Sequence, residues 1–397
     1  MTNERQFFID HLGQTNPFPF LIEVDRAEGA YIYAKNGKPY LDMIAGVAVN
    51  NIGHRHPKVL AALTAQLQKH LHVMVYGEFI QDAQQALVRE LLSVLPATLD
   101  GVYVVNSGTE AIEAALKLVK RVTGRTELIA FKGSYHGSTH GAMSVSANEI
   151  KKIAFRPLLP DVRFLSHNEI AELAQITVRT AGVIIETVQG DAGVRRPSAA
   201  FLQALRARCT EVGALLILDE IQCGMGRTGS MFAFEQFGII PDILTLGKAL
   251  GGGMPIGALV APQQHLNQFT HAPMLGHITT FGGHPMVCAA AAATIEVLRT
   301  EINWVQLEER AAAFAAQIAA HPAVREHRRV GAMFAFDLAS AGEVEKVVNY
   351  CLEQGLITFW FLSHPHSFRL SPPLNLEQKD WDFASQVIIS ALDRLSN

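Results

Sequence analysis

The sequence has few cysteines. Its four (Cys209, Cys223, Cys288 and Cys351) are far apart and form no C-x-x-C, which excludes a disulfide framework and a zinc ribbon. It also lacks a strong charge of either sign. The 33 Lys and Arg against 37 Asp and Glu leave a net charge of −4, so there is no electrostatic reason to expect nucleic acid or an anionic membrane as partner. No apolar run reaches the roughly 18 residues a membrane helix needs. The opening "MTNERQFFIDHLGQ" has no apolar core of a secretory signal. There is no internal repeat and no low-complexity linker. These absences predict a soluble, cytoplasmic protein. At 397 residues the chain exceeds the roughly 250–300 residues at which one core stops growing, so two or more domains are expected.

What is present is an alternation of short apolar runs and amphipathic helices. "GAYIYAKNGKPYLDMIAGVAV" reads as a hairpin, with two alternating runs around Asn-Gly. From about residue 55, "GVYVVN", "TELIAF", "AGVIIETV", "GALLILDEI", "DILTLG" and "IGALVA" are continuous Val/Ile/Leu strands separated by helices. That pattern predicts a mostly parallel sheet covered on both faces. After about 290 the pattern becomes α+β: a long Ala-rich helix, "VGAMFAFDL", a helix near 343–354, "LITFWFL", "SFRLSPPL" and a last helix. The expected layout is a large α/β domain over 50–290 and a small α+β domain built from 1–49 and 291–397.

Several motifs admit two readings. "VVNSGTEAIEAALKLVKR" is a strand, a turn and a helix over 109–122, with Ala111, Ile112, Ala115, Leu116 and Val119 in one stripe. Ser107 and Glu110 have capping-box spacing. The segment is either an ordinary capped helix or an anion site, with free amides at its start and hydroxyls on Ser107 and Thr109. Gly224, Gly226 and Gly229 form a literal G-x-G-x-x-G, but Asp219 to Gln222 separate them from the strand, whereas a dinucleotide fingerprint follows its strand at once. Asp219 ends an apolar strand at the carboxyl edge, where open α/β sheets bind ligands. A carboxylate there is a cap or the partner of a buried cation. His54 and His56 in "GHRHP" lack a third ligand nearby and read as turn residues beside Pro57 rather than as a metal site.

Lys248 stands at the end of "DILTLG", followed by Ala249, Leu250 and three glycines. It is not a Walker A lysine: no glycine lies five positions before Gly247, and Ala249 replaces the Ser/Thr that would hold magnesium. A lysine half withdrawn from water has a lowered pKa and can be a nucleophile. Glycines let a flat ligand approach closely.

"SGTEA" (107–111), "DEIQ" (219–222) with "GRTG" (226–229), "TLGKALGGGMPIGA" (245–258) and "TTFGGHP" (279–285) together resemble class III aminotransferases, nearest the acetylornithine and ornithine branch. The likeness runs from "AVNNIGHRHPKV" to "FRLSPP" in matching order. It implies pyridoxal 5'-phosphate as cofactor, the aspartate-aminotransferase fold (fold type I), and transfer of a terminal amino group to 2-oxoglutarate. It further implies that Lys248 forms the Schiff base and moves the proton, that Asp219 pairs with the pyridine nitrogen, and that Gln222 reaches the ring's 3-oxygen. Ser107, Gly108 and Thr109 would cradle the phosphate, Tyr135 would stack on the ring, and Glu186 would stand with the cofactor-binding residues. Thr280 would reach the partner subunit's cofactor in a homodimer, and Arg369 would bind a substrate carboxylate.

Two substrate positions depart from that pattern. Relatives carry "FHGRT" where this chain has "YHGST", so Ser138 replaces an arginine that grips a donor's α-carboxylate; serine offers no bidentate cation. Relatives place a glutamate against the small-domain arginine where this chain has Asp191. The expected consequence is a preference for donors that need no α-carboxylate contact, unless another basic residue such as Arg196 substitutes. The alternatives are a racemase, mutase or decarboxylase on the same fold, a nicotinamide-dependent oxidoreductase resting on the glycine motif, and a non-catalytic binding protein, against which Lys248, Asp219 and Gln222 together argue.

Overall fold

The computed structural model describes residues 3–395. After a helix at Asn3–His11 come β1 (Val24–Glu28), β2 (Tyr31–Ala34) and β3 (Pro39–Asp42), paired antiparallel. β2 and β3 form the hairpin expected at "KNGK", with Gly37 at φ +84°. β3 stops at Asp42 because its carboxylate accepts from the amides of Ile44 and Ala45. The chain then turns through positive φ at Ala45, Gly46, Val47 and Ala48 instead of continuing as strand.

Seven strands follow: β4 (Gly101–Val105), β5 (Glu127–Phe131), β6 (Val162–Leu165), β7 (Thr180–Glu186), β8 (Leu215–Asp219), β9 (Ile243–Leu246) and β10 (Gly257–Ala261). They form one sheet in the order β4-β10-β9-β8-β7-β5-β6. Only β10 runs antiparallel to its neighbours; the remaining pairs are parallel. β5, β7, β9 and β10 are buried along their whole length, which is why they read as runs dominated by apolar residues. β6 was not expected. It is an edge strand with exposed Arg163 at its second position, too polar and too short to give a signal. The helix Gly108–Thr123 buries Ala111, Ile112, Ala115, Leu116 and Val119 and ends at left-handed Gly124, whose amide bonds to Lys120 O.

The last third adds β11 (Glu326–Val330), β12 (Met333–Asp337), β13 (Leu356–Ile357), β14 (Phe359–Trp360) and β15 (Ser367–Leu370). β11, β12, β15 and β14 make a four-stranded antiparallel sheet, while β13 runs parallel to β3 and completes the N-terminal sheet. "LITFWFL" is therefore two short strands in two different sheets, not one. The expected Ala-rich helix is likewise two, Pro285–Thr300 and Trp304–Ala319, with Asn303 capping the second through its side chain. No helix among the described residues is long and apolar enough to cross a membrane.

Candidate active site

Three neighbouring parallel strands end at the same edge. Glu186 closes β7 and lies in register with Asp219, which closes β8 and lies in register with Thr245 of β9. Lys248 follows β9 by two residues. The carboxyl edge of the sheet thus brings together two acids and one lysine from positions up to 62 apart in sequence. They line a cavity of about 250 Å³ with Gly108, Thr109, Tyr135, His136, Gly137, Ser138, Gln222 and Cys223.

Lys248 is partly buried and makes no hydrogen bond or ion pair among the described residues. Burial lowers its pKa, and nearby Arg369 lowers it further, against the opposing fields of Asp219 and Glu186. Its backbone has φ +42°, a left-handed conformation that costs an L-residue about 1–2 kcal/mol. Such strain concentrates at functional sites. The glycines that follow have a steric reason: at Gly252 φ is +57° and a Cβ would collide with Thr294 Oγ1.

Asp219 is 4% exposed. One carboxylate oxygen accepts from the Ile221 amide at 3.0 Å, and the other meets His136 Nδ1 at 2.7 Å. An ionised carboxylate only accepts, so Nδ1 carries the hydrogen. The buried His136 Nε2 has no hydrogen-bond partner among the described residues. His136 was not singled out from sequence, although it sits inside the quoted "YHGST"; its partner lies 83 residues on. Glu186 accepts from the amides of Tyr135 (2.9 Å) and Gly190 (3.0 Å). Burial pushes its carboxyl up to about 7, partly offset by His136 and those two donors.

The opposite wall is the start of the helix Gly108–Thr123. Ser107 Oγ accepts from Glu110 N at 3.4 Å, as its spacing predicts. The reciprocal half of the box is absent, because the Glu110 carboxylate bonds one residue further back, to Asn106 N at 2.7 Å. The amides of Gly108 and Thr109 head the helix and have no carbonyl within it to bond. Thr109 Oγ1 lies 2.7 Å from Thr139 Oγ1. Gly137 has φ +132°, and a Cβ there would collide with Thr109 Oγ1. A narrow cradle of amides and hydroxyls thus faces Lys248 and Asp219, a donor set suited to a phosphate, while the partnerless lysine and the anchored carboxylate suit a reactive carbonyl and a ring nitrogen.

The G-x-G-x-x-G glycines lie in an irregular turn with no helix starting there. The same turn carries Arg227, which is fully buried and donates to Asn51 Oδ1 and to the carbonyls of Ala332 and Pro372. The motif ties the large sheet to the C-terminal part. His54 and His56 are also engaged locally: His54 Nε2 meets Asp42 at 2.9 Å, and His56 caps the helix Pro57–Leu67. No cluster that could hold a metal occurs among the described residues.

The class III aminotransferase family model matches residues 13–392. The chain belongs to the class III aminotransferases. Enzymes of this family use pyridoxal 5'-phosphate. The chain is 40% identical over 280 residues (70% of this chain, 71% of the relative) to the [LysW]-aminoadipate semialdehyde/glutamate semialdehyde transaminase of Sulfurisphaera tokodaii. It is 37% identical to the acetylornithine aminotransferase of Archaeoglobus fulgidus, covering 93% and 95% of the two chains. Among solved structures it is similar to the ornithine aminotransferase of Toxoplasma gondii, which holds the cofactor at partial occupancy (TM-score 0.91, 28% identity, 99% and 95% of the two chains). The α/β fold is that of the fold type I transaminases.

The substrate positions of this class III chain differ in part from expectation. Tyr135 is 38% exposed, and its hydroxyl lies 3.1 Å from Ser138 Oγ. Arg369, on β15, is 6% exposed and flanked by the rings of Phe359 and Phe361 at 5.5 and 5.6 Å. Its Nε has no hydrogen-bond partner among the described residues. Asp191 does not pair with it, but bonds Leu362 N and Ser363 Oγ. Arg196 is no substitute for the missing arginine; it lies over the Phe237 ring and borders a different hollow, with Arg195 and Arg328. Thr280 is exposed and does not line the Lys248 cavity. It adjoins a larger hollow of about 520 Å³ that includes Tyr76, Tyr103, Met274, Thr279 and Gly283 but none of the Lys248 cavity residues.

Proposed function

We propose that the enzyme transfers a terminal amino group from an amine donor to 2-oxoglutarate, with Lys248 as the residue that carries the cofactor and moves the proton. A lysine without a partner, facing an anchored aspartate across one small cavity, carries this reading. Ser107, Gly108 and Thr109 would hold the cofactor's phosphate, Gln222 its ring oxygen, Tyr135 the ring face and Asp219 the ring nitrogen. Bound there, pyridoxal 5'-phosphate supplies a carbonyl that takes up amines and an electron sink for the charge left on the reacting carbon. Burial keeps Lys248 Nζ a ready base, because it favours the neutral amine that can accept a proton from that carbon. His136 fixes the Asp219 carboxylate in position. Glu186 holds the Tyr135 amide, and so the loop that carries His136. Arg369 would receive the carboxylate of 2-oxoglutarate. Residues 50–290 form the catalytic unit in this reading, and 1–49 with 291–397 the smaller one, supported by β13 completing the sheet that β1 to β3 begin.

The reading includes a homodimer. Phe79, Ile80, Met274, Leu275, Ile278 and Phe281 are exposed apolar side chains near the larger hollow, the kind of surface a partner covers. Thr280 lies among them and would act on the partner's cofactor phosphate. Mixing inactive Lys248→Ala with inactive Thr280→Ala protein should therefore regenerate activity in mixed dimers. No recovery, with subunit exchange confirmed, rules out the shared site.

Donor choice tests the function itself. N-acetylornithine, ornithine, putrescine and 4-aminobutyrate are assayed with 2-oxoglutarate, in wild type and in Ser138→Arg. Ser138 gives an α-carboxylate no charge-assisted partner, an interaction worth about 1.5–3 kcal/mol, or roughly ten- to a hundred-fold. The wild type should use putrescine and 4-aminobutyrate at least as well as acetylornithine. Ser138→Arg should raise kcat/KM for acetylornithine by that factor and leave putrescine unchanged. High wild-type kcat/KM for acetylornithine, with no gain from the arginine, contradicts the reading of Ser138.

A further inference from the structure

The charge of Asp191 acts on Arg369, yet among the described residues no hydrogen bond or ion pair joins the two. The carboxylate is held elsewhere by three donors. Oδ1 accepts from Leu362 N at 3.1 Å, Oδ2 accepts from Ser363 Oγ at 2.6 Å, and Lys151 Nζ stands 3.8 Å from Oδ2. The Ser363 hydroxyl is itself oriented, because its oxygen accepts from Asn148 Nδ2 at 3.2 Å and its hydrogen is thereby directed to Asp191. The backbone is fastened as well. Arg328 Nε donates to Gly193 O at 2.6 Å, and Asp337 grips the same guanidinium through both nitrogens at 2.9 and 2.6 Å. Asp191 therefore cannot approach Arg369 by a shift of its loop unless these bonds break.

We propose that Lys151 and Ser363 are positioning residues that latch Asp191 away from Arg369 and so keep that guanidinium open to a substrate carboxylate throughout the catalytic cycle. This rests on the reading of Arg369 as the carboxylate receptor. A buried cation without a counter-ion is costly, and a carboxylate next to the reacting carbon relieves it. 2-Oxoglutarate and glutamate bring one. A terminal amine does not, whether or not its far end carries a carboxylate, so the latch favours the keto acid half of the reaction and penalises every terminal amine alike. This differs from the role of Ser138, which distinguishes among terminal amines by their far ends. In this chain the partners of Asp191 are the 362–363 segment and Lys151.

The test is steady-state kinetics of the cofactor-loaded enzyme with the double variant Lys151→Met, Ser363→Ala. A freed Asp191 that pairs with Arg369 about nine-tenths of the time raises the KM for 2-oxoglutarate and for glutamate about tenfold, since only the unpaired fraction is competent. kcat stays near wild type, and kcat/KM for putrescine rises. Adding Asp191→Asn to the double variant should return the 2-oxoglutarate KM to its wild-type value, which a merely loosened loop would not do. An unchanged KM in the double variant overturns the latch, as does a raised KM that persists with Asp191→Asn. Arg369→Gln separates the two levels of the argument. A raised 2-oxoglutarate KM there upholds the receptor even if the latch fails, whereas an unchanged KM removes the receptor and the latch together.

Discussion

Lys248→Ala is expected to abolish turnover while leaving a folded protein that still binds pyridoxal 5'-phosphate. The side chain is without hydrogen bonds or ion pairs among the described residues, so its removal breaks no structural contact of that kind. Alanine also tolerates the neighbouring glycines. The phosphate cradle at Gly108 and Thr109, the anchored Asp219 and Gln222 all remain. What disappears is the amine proposed to carry the cofactor and shuttle the proton. The loss should be at least the roughly 10²–10⁴-fold that a positioned general base contributes. Activity should return in part with added small primary amines, which can accept the proton but cannot be positioned. A variant retaining a tenth or more of wild-type kcat would mean that another group moves the proton.

Asp219→Asn is expected to have the next largest effect, and on a different step. Asparagine keeps the size; its one oxygen can still accept from Ile221 N, while its amide nitrogen can donate to His136 Nδ1 in the other tautomer, so the loop geometry should survive. It cannot hold a proton on a ring nitrogen by charge. Each pKa unit of that stabilisation corresponds to about 1.4 kcal/mol, or tenfold. In this site, 4% exposed at Asp219, two to three units, or roughly a hundred- to a thousand-fold in rate, are expected. Single-turnover measurements with a donor deuterated at the carbon that bears the transferred amine should show slower hydrogen removal and a larger isotope effect, with cofactor affinity reduced only modestly. A near-normal single-turnover rate would make Asp219 a strand-end cap and nothing more.

The parts of this site legible in the sequence share a physical trait: they depend on neighbours in the chain. β7, β8 and β9 read as strands because burial leaves no charged residue inside the run before its last position. Asp219 and Lys248 stood out because charge at the end of such a run is unusual, and the three glycines after Lys248 marked a close approach. The start of the helix Gly108–Thr123 was visible from Ser107 and its apolar stripe. What escaped notice depends on contacts that only topology creates. His136 and Asp219 meet across 83 residues and Asp191 and Ser363 across 172, and neither pair has a local signature. The Glu110 carboxylate has the spacing of a capping box and yet bonds to Asn106, because a carboxylate side chain can reach either amide. β6 was missed because an edge strand need not be apolar. The literal G-x-G-x-x-G proved to be a turn that carries Arg227, a buried arginine whose partners come from both ends of the chain.

Borohydride reduction of the cofactor-loaded enzyme, followed by digestion and mass spectrometry, tests the central assignment most directly. Reduction should fix the cofactor's mass on the peptide that contains Lys248, and Lys248→Ala should carry no such label. Labelling of a different lysine in the wild type, such as Lys151 or Lys152, would contradict the account.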